Sequence, residues 1–255
     1  MRDEGLNQAI QAVGGVSELA RKLGISQPSI SNWNRVPAER VLSVEALTGI
    51  GRTVLRPDLY ADSGGDVEEV DSARAQEYAL LAALLVRAPD AALLRKLSDL
   101  RGDATRLGVA HVALAEAASV ATAANVEREY FDLFIGIGRG ELMPYGSYYL
   151  TGFLHERPLA RLREDLVKLG IERIDGNAEP EDQAATLCEI MAGLAGGRFG
   201  TRAGSDRRIF EKHVAPWMGR FFADLENAQA ARFYRPVGTV GRLLMDIETE
   251  AFALL

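Results

Sequence analysis

Three alternating glycines, Gly136, Gly138 and Gly140, form the spacing in this 255-residue chain that comes nearest to a ligand-binding loop. Glycine lets backbone N–H groups approach an anion closely, so a phosphate-binding turn is the first chemistry to consider. A dinucleotide fingerprint needs G-x-G-x-x-G after a strand, and a Walker loop needs G-x-x-x-x-G-K-S/T. This chain has G-x-G-x-G, without a β-branched strand before it or Lys-Ser/Thr after it. We therefore predict a tight turn between helices and not a nucleotide-binding loop.

A second candidate for chemistry is the acidic segment at residues 179–183, which contains Glu179, Pro180, Asp182 and Gln183. Pro180 can start a helix, and the carboxylates that follow it favour the positive N-terminal end of that helix. One interpretation is a solvated helix N-terminus with ordinary dipole complementarity. The other is a binding site, because a carboxylate there can engage guanidinium groups bidentately.

Residues that could support catalysis are scattered. The histidines His111, His155 and His213 and the single cysteine Cys188 show no H-E-x-x-H or C-x-x-C spacing, and the sequence contains neither G-x-S-x-G nor S-x-x-K. His213 lies among aromatic residues, where a hydrogen-bonded core role is more common than a ligand or a base. Cys188 lies in an apolar helical run and is expected to be buried and inert. We predict a protein that is not an enzyme, with no metal site and no cofactor.

The elements that position these residues are predicted to be helices. Apolar side chains recur at i, i+3 and i+7, as at Leu159, Leu162 and Leu166, and no convincing alternating strand is longer than a few residues. Of the 18 aromatic residues, 13 fall in residues 130–153 and 210–234, so these segments are expected at the centre of the core or of a groove. The predicted fold class is all-α. The residues expected at the structural centre of these segments are Phe134, Gly136, Gly138, Pro144, His213 and Trp217.

Residues 16–33, VSELARKLGISQPSISNW, fit the helix-turn-helix template at each position that has a physical requirement. Apolar residues hold two helices at a steep angle, and Gly24 allows a left-handed turn between them. The alternative is an αα-hairpin core without DNA contacts. In the DNA-binding interpretation, Gln and Asn bond adenine edges, Ser bonds bases or phosphates, and Arg contacts phosphate. The predicted contacts are Gln27, Ser29, Ser31, Asn32 and Arg35.

The chain is predicted to divide at residues 61–71, ADSGGDVEEVD, which have no apolar periodicity and carry paired glycines and five acidic residues. We predict an N-terminal module of residues 1–60, an acidic linker at 61–71 and a C-terminal module of residues 72–255. The first 60 residues have a charge balance of +1 and the remainder −8, which indicates two modules with different partners. No apolar run approaches the roughly 20 residues that span a bilayer, so we expect a cytoplasmic protein without a membrane partner.

Four blocks of the C-terminal module resemble the TorD/DmsD family of redox-enzyme maturation chaperones, and the resemblance covers residues 71–255. They are 130–150 (YFDLFIGIGRGELMPYGSYYL), 179–183 (EPEDQ, similar to the family's E-P-x-D-H), 210–217 (FEKHVAPW, similar to F-x-x-H-x-x-P-W) and 231–235 (ARFYR). Gln183 stands where the family has histidine. Glutamine keeps a donor and an acceptor but cannot titrate, so a charge-dependent role of that histidine is not expected here.

This resemblance implies a chaperone that binds the apo catalytic subunit of a molybdenum- or tungsten-containing oxidoreductase, or its twin-arginine signal peptide, until the cofactor is inserted. Formate dehydrogenase is one client compatible with it. The family's E-P-x-D-H motif lies beside the substrate-peptide groove. The client-binding residues implied in this chain are therefore Tyr145, Glu179, Pro180, Asp182 and Gln183.

The N-terminal module resembles the Cro/YdaS-like family of small DNA-binding repressors over residues 5–60. After the helix-turn-helix it continues as VPAERVLSVEALTG and ends with Leu-Arg-Pro-Asp at 55–58, as that family does. The resemblance implies DNA binding, usually as a homodimer on half-sites about 34 Å apart. The N-terminal module departs from this family in its weak positive charge. We therefore predict modest affinity with strong salt sensitivity, because counterion release supplies most non-specific affinity.

Two alternatives remain open. The C-terminal module could be a sensor in a transcriptional regulator, so that client occupancy changes DNA binding through a coupling free energy between the two sites. A flexible linker would offer no rigid connection for such coupling. Alternatively, the N-terminal module could be an interaction module without DNA binding.

Overall fold

The computed structural model describes residues 2–172 and 179–254, and for residues 60–68 it describes the backbone alone. The chain divides into two compact units, Met1–Asp71 and Ser72–Leu255, which we call the head and the body. The described residues form helices and no sheet, which confirms the all-α prediction. The exact residue limits predicted for the two modules and the linker, 1–60, 61–71 and 72–255, stay a prediction.

The head contains short helices around one small core. Leu19, Ala20 and Ile30 are each at most 3% exposed and hold the second and third helices together. Gly24 ends the second helix in the left-handed conformation predicted for it, with φ 69° and ψ 28°. The head helices are α1 (Glu4–Ala12), α2 (Val16–Leu23), α3 (Gln27–Ser31), α4 (Val41–Thr48) and α5 (Arg52–Leu55), with a 3₁₀ turn at Ala38–Arg40.

The predicted linker lies within a long helix. Helix α6 runs over Pro57–Val86, so the backbone of residues 61–71 is helical. The paired glycines at positions 64 and 65 do not break this helix, because each costs it only about 1 kcal/mol relative to alanine. The rest of the segment contains no proline, which would cost considerably more.

The body contains longer helices and two π-helical turns, Phe131–Ile135 and Phe210–Val214, in the aromatic-rich segments. No single helix among the described residues is long and apolar enough to cross a membrane; one bent pair, Arg106–Val120 with Ala123–Ile135, passes by length and composition. The body helices that follow α6 are α7 (Ala91–Ser98), α8 (Arg106–Val120), α9 (Ala123–Tyr130), α10 (Gly146–Thr151), α11 (Arg157–Lys168), α12 (Ala184–Ala195), α13 (Ser205–Ile209), α14 (Met218–Asn227) and α15 (Tyr234–Ala253).

Helix α12 lies in the middle of the body core. Most of its residues are apolar and buried, and Glu189 is its one exposed residue, as expected for a core helix with a very narrow solvent face. Cys188 is fully buried there, and burial raises the pKa of its thiol, which agrees with the predicted inert cysteine. Helices α14 and α15 pack closely because Gly238 and Gly241 bring a bare backbone against Phe222 and Glu226.

A buried ion pair fastens α6 to α15. The guanidinium of Arg74 donates from Nε to Glu248 Oε1 at 2.7 Å and from Nη2 to Oε2 at 2.8 Å. The phenol of Tyr78 donates to Glu248 Oε2 at 3.2 Å, and Asp206 accepts a further bond from Arg74 at 3.0 Å. Because Glu248 is only 1% exposed, its charge depends on these donors for stabilisation.

Candidate functional site

The alternating glycines form a tight turn between helices, as predicted. The chain leaves α9 through the π-helical turn at residues 131–135 and then reverses at Gly136, which has φ 62° and ψ 175°. Gly138 also has a positive φ, of 86°. A Cβ atom at Gly136 would collide with the carbonyl oxygen of Arg139, whereas a Cβ at Gly138 would meet nothing within 4 Å. Glycine is therefore required most strictly at Gly136.

Replacing Gly136 with alanine is expected to lower the free energy of unfolding of the body by about 1–3 kcal/mol, because the backbone region it occupies is almost exclusive to glycine. Gly138→Ala is the matched control, since it has a positive φ without a steric collision, and it should cost less. Urea unfolding followed by far-UV circular dichroism measures each loss. Equal losses in the two variants would contradict the role assigned to the collision.

Aromatic residues of the two aromatic-rich segments, 130–153 and 210–234, form one cluster. The ring of Phe134 lies 5.0 Å from Tyr130, 5.5 Å from Tyr234 and 6.5 Å from Phe221, measured between ring centroids. Trp217, which is 1% exposed, lies 6.1 Å from Phe221 and donates from Nε1 to the carbonyl of His213 at 2.8 Å. These contacts join the segment after α9 to α14 and the start of α15.

The blocks at 130–150 and 179–183 also contact each other directly. The carbonyl of Asp182 accepts from the Gly146 N–H at 2.8 Å, and Asp182 Oδ2 accepts from the Ser147 N–H at 2.6 Å. In return, the carbonyl of Pro144 accepts from the Ala184 N–H at 2.8 Å. An isolated antiparallel bridge pairs the intervening residues, 145 and 183. Asp182 thus binds the first backbone N–H groups of α10, and the carbonyl of Pro144 binds the first N–H group of α12.

This arrangement corrects the prediction for the acidic segment. Helix α12 begins at Ala184 with Gln183 as its N-cap, and not at Pro180. The Gln183 N–H donates to the carbonyl of Pro180 at 3.1 Å, so the residues between form a turn before the helix. The physical reason is that Asp182 stabilises the N-terminus of α10, a neighbouring helix that local sequence could not indicate.

A cavity of about 410 Å³ lies beside this contact, between α10, α11 and the π-helical turn at residues 210–214. Three of the predicted site residues, Asp182, His213 and Trp217, line it. The other lining residues were not predicted. They are the apolar Gly146, Leu150, Pro158 and Leu162 and the charged Arg161, Glu164, Asp165, Lys168 and Lys212.

Asp165 organises the charged wall of this cavity. Its carboxylate accepts from Lys168 at 2.8 Å and from Lys212 at 3.2 Å, and it lies 3.0 Å from Nε2 of His213. Lys168, with His213 and Lys212, holds the pKa of the Asp165 carboxyl well below its usual range. Burial lowers the pKa of His213, against the opposing effect of the Asp165 carboxylate. The local sequence around His213 indicates no group that orients it, because Asp165 lies 48 residues away.

Asp182 has one oxygen in contact with the protein and one without a partner. The residue is 3% exposed, Oδ2 accepts from Ser147, and Oδ1 has no hydrogen-bond partner in the protein. The hydroxyl of Ser147 is the other buried side-chain atom in the described residues without such a partner. A buried carboxylate oxygen without a donor is costly, so this pair marks where a donor group would bind most favourably.

The remaining predicted residues lie outside the cavity lining. The phenol of Tyr145 donates to Glu179 Oε2 at 2.8 Å, and burial with this bond raises the pKa of Tyr145 above its ordinary value. Gln183 is 8% exposed, and Pro180 is partly buried. Among the residues that the structure describes, no group of three or more His, Cys, Asp or Glu could hold a metal ion.

In the head, the predicted DNA contacts are all exposed on α3 and the residues after it. Gln27 Nε2 donates to Ser31 Oγ at 3.1 Å, and the Ser29 hydroxyl bonds the Ser26 hydroxyl at 2.7 Å. The side chain of Asn32, at the C-terminal end of α3, makes no hydrogen bond within the described residues. Among the predicted DNA contacts, the Asn32 amide would therefore not have to break a hydrogen bond within the described residues before it bonds a base.

Arg35 is already paired within the head. Its Nη1 lies 3.0 Å from Asp58, and Arg56 donates to the same carboxylate at 2.7 and 2.8 Å. Arg56 also donates to the carbonyl of Val36 at 2.7 Å. The hydrogen bonds from Arg56 lower the pKa of Asp58 to about 2. The Leu-Arg-Pro-Asp segment thus fastens the end of the head to the chain that follows α3.

Comparison with known proteins gives separate matches for the two units. Residues 100–223 match a family model of the TorD family described as nitrate reductase delta subunit. Chaperone protein TorD of Shewanella loihica is 24% identical over 209 residues, which cover 73% of this chain and 96% of that protein. The matched range contains the blocks at 130–150, 179–183 and 210–217. The predicted resemblance to the TorD/DmsD family is confirmed.

The head matches a different family. Residues 6–63 match a family model described as bacterial toxin YdaS. The putative transcriptional regulator YdaS of Escherichia coli K12 is 42% identical over 59 residues, which cover 20% of this chain and 59% of that protein. The chain thus spans about three fifths of the length of this relative. The predicted resemblance to the Cro/YdaS-like family is confirmed.

Proposed function

We propose that the body is a maturation chaperone that binds the apo catalytic subunit, or the twin-arginine signal peptide, of a molybdenum or tungsten oxidoreductase. The observation that carries the proposal is the cavity with Asp182 in its lining, formed where two blocks of the chaperone signature contact each other. The 96% coverage of a TorD chaperone supports the same function class. Formate dehydrogenase is one client of this type, and the proposed work takes place in the cytoplasm, before the client receives its cofactor.

The lining of this cavity contains one buried hydrogen-bond acceptor for a cationic ligand, Oδ1 of Asp182. Because Oδ2 of Asp182 already accepts from the Ser147 N–H, we propose that a guanidinium donates to Oδ1 alone, and not bidentately to both oxygens. The apolar side chains of Leu150, Leu162 and Trp217 provide a wall for the aliphatic stem of such a side chain. Tyr145, Glu179, Pro180 and Gln183 would act at the margin of this site by holding the segment before α12.

For the head, we propose DNA binding through α3, with Gln27, Ser29, Ser31 and Asn32 facing the bases. A homodimer would place two such helices on paired half-sites. Arg35 contributes to phosphate binding only if DNA competes with Asp58 for its guanidinium, so we rank it below Asn32.

Asn32→Ala is expected to weaken specific DNA binding about tenfold or more, since a bidentate amide–adenine contact contributes about 1–3 kcal/mol. The measurement is a mobility shift with the full chain on DNA from the region upstream of its own gene, at two salt concentrations. Asn34→Ala, an exposed asparagine two residues away, is the matched control. Absence of a shift for the wild type at low salt would exclude DNA binding and leave the head as an interaction module.

A second candidate is a regulator in which client occupancy of the body changes DNA binding by the head. This candidate is supported by the presence of a YdaS-like head and a TorD-like body in one chain. Repeating the mobility shift with a twin-arginine peptide tests it. A changed affinity supports coupling, and an unchanged affinity supports two independent functions.

A further inference from the structure

A second cavity of the body, of about 550 Å³, is lined by three arginines, Arg128, Arg232 and Arg235. It is formed by the end of α8, by α9 and by the start of α15, and shares no lining residue with the cavity that contains Asp182. We call this cavity the arginine pocket.

None of the three arginines has a carboxylate within ion-pair distance in the part of the chain that the structure describes. Arg232 donates from Nη1 to the carbonyl of Ala231 at 2.9 Å, and Arg235 donates from Nη2 to the same oxygen at 3.4 Å. The shared acceptor holds two like charges close together. The Arg128 side chain makes no hydrogen bond among the described residues, so its fork of donors is available to a ligand.

Two carboxylates, Glu129 and Asp132, also line the arginine pocket and cancel only part of its positive charge. Glu129 accepts from the backbone N–H groups of Arg232 and Tyr234 at 2.7 Å and of Phe233 at 3.1 Å. It therefore serves as the cap of α15, where the helix dipole offsets its charge. Asp132 is exposed and is the second carboxylate of the lining, so three arginines and two carboxylates line the pocket. The excess of positive over negative side chains in the lining favours a ligand with negative charge.

Apart from Asn125, the rest of the arginine pocket is apolar. Val120 is 83% exposed at its edge, and Ala117, Ala121 and Phe233 complete this wall. Guanidinium groups bind phosphate oxygens through paired hydrogen bonds, and more than one arginine matches a dianion better than a monoanion. We infer that the arginine pocket binds a small organic phosphate, with the phosphate on the arginines and the carbon skeleton against the apolar wall. This site is independent of the proposed client site.

The inference is tested by isothermal titration of the full-length protein with phenyl phosphate, inorganic phosphate and benzoate. Phenyl phosphate is expected to bind saturably and more tightly than the other two, and added salt should weaken it because the arginines are exposed. Arg128→Gln and Arg232→Gln should each weaken binding about tenfold, the usual effect of losing a charge-assisted hydrogen bond. Asp132→Asn should strengthen binding, because it removes a repelling charge.

Arg161→Gln is the matched control, since Arg161 lines the cavity that contains Asp182 and not the arginine pocket. Its affinity for phenyl phosphate should equal that of the wild type. Three results would each overturn the inference. They are the absence of saturable binding, benzoate binding as tight as that of phenyl phosphate, and loss of phenyl phosphate binding in Arg161→Gln without such a loss in Arg128→Gln. Capture of the client by the Arg128→Gln variant should be unchanged. Failure of the phosphate-binding inference can therefore be distinguished from failure of the proposed chaperone function.

Discussion

Replacing Glu248 with alanine is expected to lower the free energy of unfolding of the body by about 3–5 kcal/mol, the usual cost of breaking a buried ion pair from one side. The substitution leaves the guanidinium of Arg74, which is 16% exposed, with Asp206 but without its two bonds to Glu248. It also removes the acceptor of the buried Tyr78 phenol. The loss is measured by urea unfolding of the full chain in a Trp33→Phe background, so that fluorescence reports Trp217 in the body alone.

Glu250→Ala is the matched control, because Glu250 lies on the same helix and is exposed. It should change the unfolding free energy by less than about 0.5 kcal/mol, as surface substitutions usually do. Similar losses for the two variants, or a loss below about 1 kcal/mol for Glu248→Ala, would contradict the assignment of Glu248 as a central anchor of the body. Replacing Glu248 and Arg74 together with apolar residues should recover part of the loss.

Replacing Asp182 with asparagine is expected to weaken binding of a twin-arginine peptide tenfold or more, since hydrogen bonds to charged groups contribute about 1.5–3 kcal/mol. Asparagine keeps the size of the side chain, and its amide oxygen can still accept from the Ser147 N–H. What it loses is the negative charge at the oxygen that has no partner in the protein. Fluorescence anisotropy with a labelled peptide measures the change in affinity.

Glu181→Gln is the control for this experiment. It removes the same charge from the neighbouring residue, whose carboxylate is paired with Arg163 at 2.7 Å and does not line the cavity. Its affinity for the peptide should stay within about twofold of the wild type, as expected for loss of an exposed ion pair. Equal weakening in both variants would indicate a general effect of charge and not a contact at Asp182.

The sequence predicted the features that depend on local pattern. Helical periodicity, the left-handed Gly24 and the glycine turn at Gly136 follow from residue types at fixed spacing, and the structure has them where expected. The buried, inert Cys188 followed from its apolar neighbours in the same way.

What the sequence could not predict depends on contacts between distant segments. Asp182 stabilises the first turn of α10 and not that of α12, because the backbone N–H groups of residues 146 and 147 lie against it. Asp165 could not be linked to His213 for the same reason. Glu129 and Glu141 bind backbone N–H groups near the start of α15, a role that leaves no mark in the side-chain pattern because the donors are main-chain groups.

The central claim, that the body receives an immature molybdenum or tungsten oxidoreductase, is tested most directly by pull-down with the tagged full chain from an extract of its own source cells. Mass spectrometry of the bound proteins should show a molybdopterin oxidoreductase catalytic subunit as an enriched partner, and Asp182→Asn should reduce that enrichment while Glu181→Gln should not. Absence of any oxidoreductase subunit among the enriched proteins, or equal capture by the wild type and Asp182→Asn, would contradict the claim.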